Sequence, residues 1–129
     1  MCEQKENEIN YDLRTKVLRT NYEGPINIIS ELANIYENRG YGTIVGISSV
    51  AGDRGRSSNY IYGSAKAGFT AFLSGLRNRL AEKNVHVLTV LPGTVYTKMT
   101  LGHKLPKIFT SYPDKVASDI FKSIIKNWV

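Results

Sequence analysis

The chain has 129 residues, 42% hydrophobic and 22% charged, with a net charge of +6. That balance belongs to a globular chain, and the length suits one domain. The 17 basic side chains are scattered, with neither zinc-finger spacing nor a ribonucleoprotein-type aromatic motif, so nucleic-acid binding is not expected and the charge suits an anionic cofactor or substrate.

Residues 1–9 are polar and are expected to be frayed. From Tyr11 to Asn38 the apolar positions Leu13, Val17, Leu18, Ile28, Ile29, Leu32, Ile35 and Tyr36 recur at helical spacing. Pro25 lacks an amide proton and disfavours helix just before it, which predicts a break or bend near Gly24-Pro25. Arg39-Gly40-Tyr41-Gly42 should end this helix. Thr43 to Ser48 is short, β-branched and apolar on both faces, as in a buried parallel strand.

A Gly- and Ser-rich loop follows from Ser49 to Asn59, and then a helix from Tyr60 to Lys83. Ala65, Phe69, Phe72, Leu73, Leu76 and Leu80 make up its apolar side. Val85 to Leu91 reads as a second buried strand, stopped by Pro92-Gly93. Strand, long helix and strand form a βαβ unit. Residues 94–129 should give a loop, an irregular segment and a last helix from Pro113 to Lys126. Val116, Ile120, Ile124 and Trp128 share one face of it, and a core-facing helix is preferred over one lying on a membrane surface.

Cys2 is the single cysteine, so no internal disulfide can form. The start lacks a signal peptide's apolar stretch, and no run approaches ~18 apolar residues, so a cytoplasmic location is expected. His86 and His103 have no partners at zinc spacing, and no metal is expected.

Chemistry is concentrated in Tyr60-Ile-Tyr62-Gly-Ser-Ala-Lys66. Tyr62 and Lys66 stand four apart at the start of a helix, one turn apart on one face. An ammonium beside a phenol stabilises the phenolate and should lower the tyrosine pKa, making it a usable general acid or base. Ser49 lies 13 residues earlier, just past the first strand, at the sheet edge where open α/β folds bind ligands. A Tyr-x-x-x-Lys pair alone is commonly a solvated surface pair, and a serine after a strand is commonly a turn former. Their combination carries the argument.

Ile47-Ser-Ser49-Val-Ala-Gly52, Tyr62-Gly-Ser-Ala-Lys66-Ala-Gly, Pro92-Gly93-Thr-Val-Tyr-Thr97 and Thr20-Asn21-Tyr-Glu-Gly24 together resemble the short-chain dehydrogenases/reductases. The resemblance implies an α/β fold, a partial Rossmann-type doubly wound parallel sheet lacking its first strands. It implies NAD(P)-dependent reduction of a ketone, with NAD or NADP as cofactor. Tyr62 would donate the proton, Lys66 would lower its pKa and hold the nicotinamide ribose, and Ser49 would orient the carbonyl. Asn21 would hold a water linking Lys66 to solvent. Pro92, Gly93, Val95 and Thr97 would lie along the nicotinamide, with the Val95 backbone and Thr97 hydroxyl at its carboxamide. Homo-oligomers through the two long helices are also implied.

The stretch through Asp53-Arg54-Gly-Arg56-Ser-Ser-Asn59 is similar, more narrowly, to the decaprenylphosphoryl-2-keto-erythro-pentose reductases, which reduce a keto-sugar on a polyprenyl phosphate. Arg54 and Arg56 would suit such a phosphate, or would simply be solvated loop arginines.

The family's Gly-rich phosphate loop has no counterpart here. Gly40-Tyr-Gly42-Thr-Ile-Val-Gly46 precedes a strand and opens no helix. The sequence thus reads as one domain, the C-terminal, active-site portion of such an enzyme. The rival reading is a truncated, non-catalytic remnant that acts only through subunit association, because the first strand keeps an open edge.

Overall fold

A computed structural model describes residues 4–98, 100 and 110–126. Helix α1 spans Gln4–Ile9 and α2 spans Tyr11–Leu18. The expected fraying of residues 4–9 is therefore corrected. Asn7 is buried, and Arg14 donates to the Asn7 and Glu8 carbonyls at 3.2 and 3.1 Å, satisfying the end of α1. Asn10 caps α2 by accepting from Leu13 N at 3.1 Å.

The expected break at Gly24-Pro25 does not occur either. A π-helical segment, Arg19–Glu23, joins α2 to α3 (Gly24–Arg39), and the Gly24 N–H reaches Arg19 O, five residues back. Proline's ring collides with the carbonyl four residues earlier in a regular α-helix, here Asn21. Widening this turn moves that carbonyl aside, so the helix passes through Pro25. Gly40, at φ 78°, ends α3 in the left-handed conformation.

Strand β1 (Gly42–Ile47) pairs in parallel with β2 (Val85–Val90), from Gly42↔Val85 to Ile47↔Val90. Between them runs α4 (Tyr60–Leu80). Ile44, Val85 and Val87 turn to one face and form the core with Ala33 of α3 and with Phe69, Leu73, Leu76 and Leu80 of α4. Arg77 of α4 donates to Val87 O at 3.0 Å and to Thr89 Oγ1 at 2.6 Å.

The other face meets α5 (Pro113–Ile125). Val116 and Ile120 of α5 line a 270 Å³ cavity with Leu88 and Val90 of β2. The preferred core-facing role of α5 is met only in part, since none of its residues is fully buried; Trp128 lies outside the described residues. Two short strands that the sequence does not announce, β3 (Thr94–Val95) and β4 (Thr110–Ser111), pair in parallel. Among the described residues, no helix is long and apolar enough to cross a membrane.

Candidate active site

The site is built where β1 and β2 end side by side. The Ser48 N–H donates to Val90 O at 2.8 Å, and the Val50 N–H donates to Pro92 O at 3.3 Å. The loops that follow the two strands are thus tied together. Ser49 is extended, and its Oγ accepts from Ala51 N at 3.1 Å, opening a 3₁₀ turn over Val50–Gly52.

Two glycines bring this turn against α4. A Cβ on Gly63 would lie 2.7 Å from Ala51 O, and one on Gly52 would lie 2.7 Å from Ala67 N. No side chain larger than hydrogen fits that approach. The contact brings Tyr62, in the first turn of α4, near enough to the Ser49 hydroxyl for that hydroxyl to favour the ionised phenol.

The structure corrects the expected electrostatics. Burial pushes the Tyr62 phenol above its ordinary 10.0, while the Ser49 hydrogen bond pulls it the other way. Lys66 does not lower it. The Lys66 Nζ donates to Ile47 O at 3.1 Å and stands 5.7 Å from the centroids of both the Tyr62 and Phe69 rings. It lies beside the phenol's ring, away from an ion pair with its oxygen, and burial pushes its own pKa below 10.5. The spacing of four does put both on one face, but a lysine at that distance reaches the strand's last carbonyl.

Asn21 lies within the π segment, and its Nδ2 donates to Val17 O at 3.0 Å. One N–H of its amide is therefore engaged by its own helix, and no hydrogen bond joins it directly to Lys66. The π segment nonetheless packs on α4, with the Tyr22 ring 3.0 Å from a Cβ placed on Gly68.

Pro92 and Gly93 leave β2 beside the Ser49 loop. Val95 sits in β3, and its carbonyl accepts from Thr100 Oγ1 at 2.9 Å, so that acceptor is shared with the protein. Thr97 N donates to Thr100 Oγ1 at 2.9 Å, and the one Thr100 hydroxyl proton is shared between Val95 O and Thr97 O, the latter at 3.0 Å. Thr100 thus braces the segment carrying Val95 and Thr97. Nothing in its sequence context signalled this.

Arg54 and Arg56 are exposed on the loop between Ser49 and α4. Gln4 also escaped the sequence reading; its Oε1 accepts from Ile61 N at 3.4 Å, at the start of the helix that carries Tyr62.

These features, a parallel sheet edge with a hydroxyl pair and a lysine one turn on, define the class. The profile of the short chain dehydrogenase family matches residues 1–105, and the chain belongs to that family. An uncharacterized oxidoreductase of Mycobacterium tuberculosis (strain ATCC 25618 / H37Rv) is 37% identical over 109 residues, 84% of this chain and 43% of the relative. An acetoacetyl-CoA reductase of Cupriavidus necator is 36% identical over 102 residues, 77% of this chain and 42% of the relative. The solved structure of a 4-hydroxyisoleucine dehydrogenase mutant complexed with NADH and succinate shares the fold, with a TM-score of 0.81 at 20% identity. That match covers 94% of this chain and 56% of the other. The chain spans about two fifths of the length of these curated relatives.

Proposed function

We propose that this chain carries the proton-transfer site of a nicotinamide-dependent oxidoreductase that reduces a ketone. The observation that carries the reading is the packing of the Ser49 turn against the first turns of α4, which sets Ser49 beside Tyr62 at the C-terminal edge of a parallel sheet with Lys66 one helical turn away. Family membership and the reductase among the relatives support it.

In this reading Tyr62 gives its hydroxyl proton to the substrate's carbonyl oxygen, and Ser49 holds that oxygen in place. A phenol kept neutral by burial is suited to donating a proton. The nicotinamide end of a dinucleotide fits the residues present. Lys66 has one protein oxygen, Ile47 O, on an ammonium with three donors. It therefore keeps two donors for ribose hydroxyls. Among the described residues a Cβ on Gly93 would meet nothing within 4 Å, which suits a flat ring laid against the backbone there. Pro92, Gly93, Val95 and Thr97 would line that ring. The dinucleotide, when bound, supplies the hydride. Asn21 would serve through an ordered water rather than by direct contact with Lys66.

The choice between NAD and NADP is left to experiment. A titration calorimetry comparison of NADH and NADPH on the full chain tests the reading. Micromolar binding of either supports it; no binding by folded chain favours the rival, an association-only role. The narrower substrate, a keto-sugar on a polyprenyl phosphate, rests on the exposed Arg54 and Arg56. Arg54→Ala with Arg56→Ala should then weaken phosphorylated substrates alone.

We also propose that the chain acts as one domain in the cytoplasm and self-associates. Ile28, Leu32 and Ile35 form an exposed apolar ridge on α3, which supports a helical interface. A monodisperse monomer at micromolar concentration in sedimentation would count against that.

A further inference from the structure

Ser48 precedes Ser49 and is only 3% exposed. Its backbone is held by Val90 O, as described above. Its hydroxyl donates to Lys66 O at 3.0 Å and lies 2.7 Å from Thr70 Oγ1. A hydroxyl has one proton to give. With that proton spent on Lys66 O, the second bond must run from Thr70 Oγ1–H to Ser48 Oγ. The chain of donation is Thr70 to Ser48 to Lys66 O, and it joins the end of β1 to the turn of α4 that carries Lys66.

Most of the remaining contact between α4 and the sheet is apolar, from Phe69 through Leu80, and its other hydrogen bonds, from Arg77 to Val87 O and Thr89 Oγ1 and from Lys66 Nζ to Ile47 O, run through long side chains that can follow a small shift. Apolar burial is non-directional and tolerates small slides of a helix along a strand. Hydrogen bonds between fixed atoms do not, because they weaken steeply with misalignment. The pair that must meet, Ser49 and Tyr62, sits on these same two elements, one residue from Ser48 and one turn from Lys66.

We propose that Ser48, backed by Thr70, is a positioning residue that sets the register of α4 against the end of β1, and so holds Tyr62 and Lys66 at Ser49. This rests on the reading of Ser49, Tyr62 and Lys66 given above. Ser48 itself touches no substrate.

The test is a carbon-13 NMR titration of ring-labelled tyrosines in the full chain, with the Tyr62 signal assigned by its loss in Tyr62→Phe. Ser49→Ala is the reference. It removes the hydrogen bond that lowers the Tyr62 pKa, so the titration moves up. Ser48→Ala is expected to move it in the same direction, Thr70→Val by less, and Thr70→Ser to keep the wild-type titration. A wild-type titration in Ser48→Ala beside a raised one in Ser49→Ala overturns the positioning role and leaves the site reading standing. An unchanged titration in Ser49→Ala overturns the site reading itself.

Ser48→Ala should fold, because Thr70 can turn its hydroxyl onto Lys66 O four residues back. Should it not fold, Thr70→Val against Thr70→Ser decides the matter, and identical titrations overturn the proposal. Where turnover is measurable, Ser48→Ala should lower kcat on the order of tenfold with little change in KM. An equal fall in kcat with Thr70→Ser would count against it.

Discussion

The two faces of the β1–β2 sheet are built differently. Toward α3 and α4, Leu73, Leu80 and Val87 are essentially without exposure, and the glycine contacts close the loop after β1 onto the helix. Toward α5, Ile47 is 53% exposed, and on the helix itself Phe121 is 64% and Ile125 66% exposed. Parallel strands alternate their side chains between two faces, and both are ordinarily covered. The residues proposed to transfer the proton lie on the closed face, where packing fixes α4 against the loop that carries Ser49. The segment proposed to meet the nicotinamide, Pro92 to Thr97, belongs to the looser side.

If this contrast is correct, changes on the α4 face should be large and changes on the α5 face small. Tyr62→Phe should have the largest effect, removing nearly all turnover, about 10²–10⁴-fold, with the denaturation midpoint hardly moved. Steady-state kinetics beside urea unfolding would read both. Retained activity would mean that Tyr62 is not the acid.

Leu73→Ala empties a fully buried site and should cost about 2–5 kcal/mol in chemical denaturation. Gly63→Ala sets a methyl against Ala51 O and should cost about 1–3 kcal/mol, while weakening the Ser49–Tyr62 contact. Either variant behaving like wild type would dissolve the contrast between the faces.

A pH effect should localise to the same face. Folding raises the Tyr62 pKa, so the folded chain holds that proton more tightly than the unfolded one. Stability that is present below pH 10.0 is then lost as pH rises through the higher folded value. Tyr62→Phe should therefore lose stability less steeply above that pH. Lys66 acts oppositely: its folded value lies below 10.5, so its cost is felt at neutral pH and eases as pH climbs toward 10.5. Lys66→Met should be relieved of that cost. Thermal unfolding across pH 8 to 11 would separate the two slopes; a steeper fall in Tyr62→Phe would reverse the sign. The smallest effect belongs to α5. Phe121→Ser should change stability by no more than about 0.5 kcal/mol, and a loss matching Leu73→Ala would make α5 part of the core.

Much of this was legible in the chain. The β1 and β2 segments were placed within one residue and α4 within three, because long apolar periodicity and Gly-Pro punctuation are local signals. That Ser49, Tyr62 and Lys66 come to one sheet edge was legible from helical spacing and a strand end, while the roles proposed for them came from the family motifs they match. The α1 helix was missed because its polar surface gives no apolar period; Arg14, reaching back to its last carbonyls, holds its end. The continuous helix through Pro25 was missed because a π turn leaves no mark in composition. The short β3–β4 pair was missed because two-residue strands carry no alternation.

The sequence by itself determined the central strand–helix–strand unit and which side chains reach the sheet edge, both through spacing along one chain, and the family through the motifs it matches. Only the tertiary structure decided which acceptor Lys66 donates to, that Tyr62 is a half-buried phenol whose pKa burial pushes up, and that Ser48 and Thr70 join β1 to α4. Those outcomes depend on which acceptor lies nearest in space and on how much water is excluded around it, and neither is written in the order of residues.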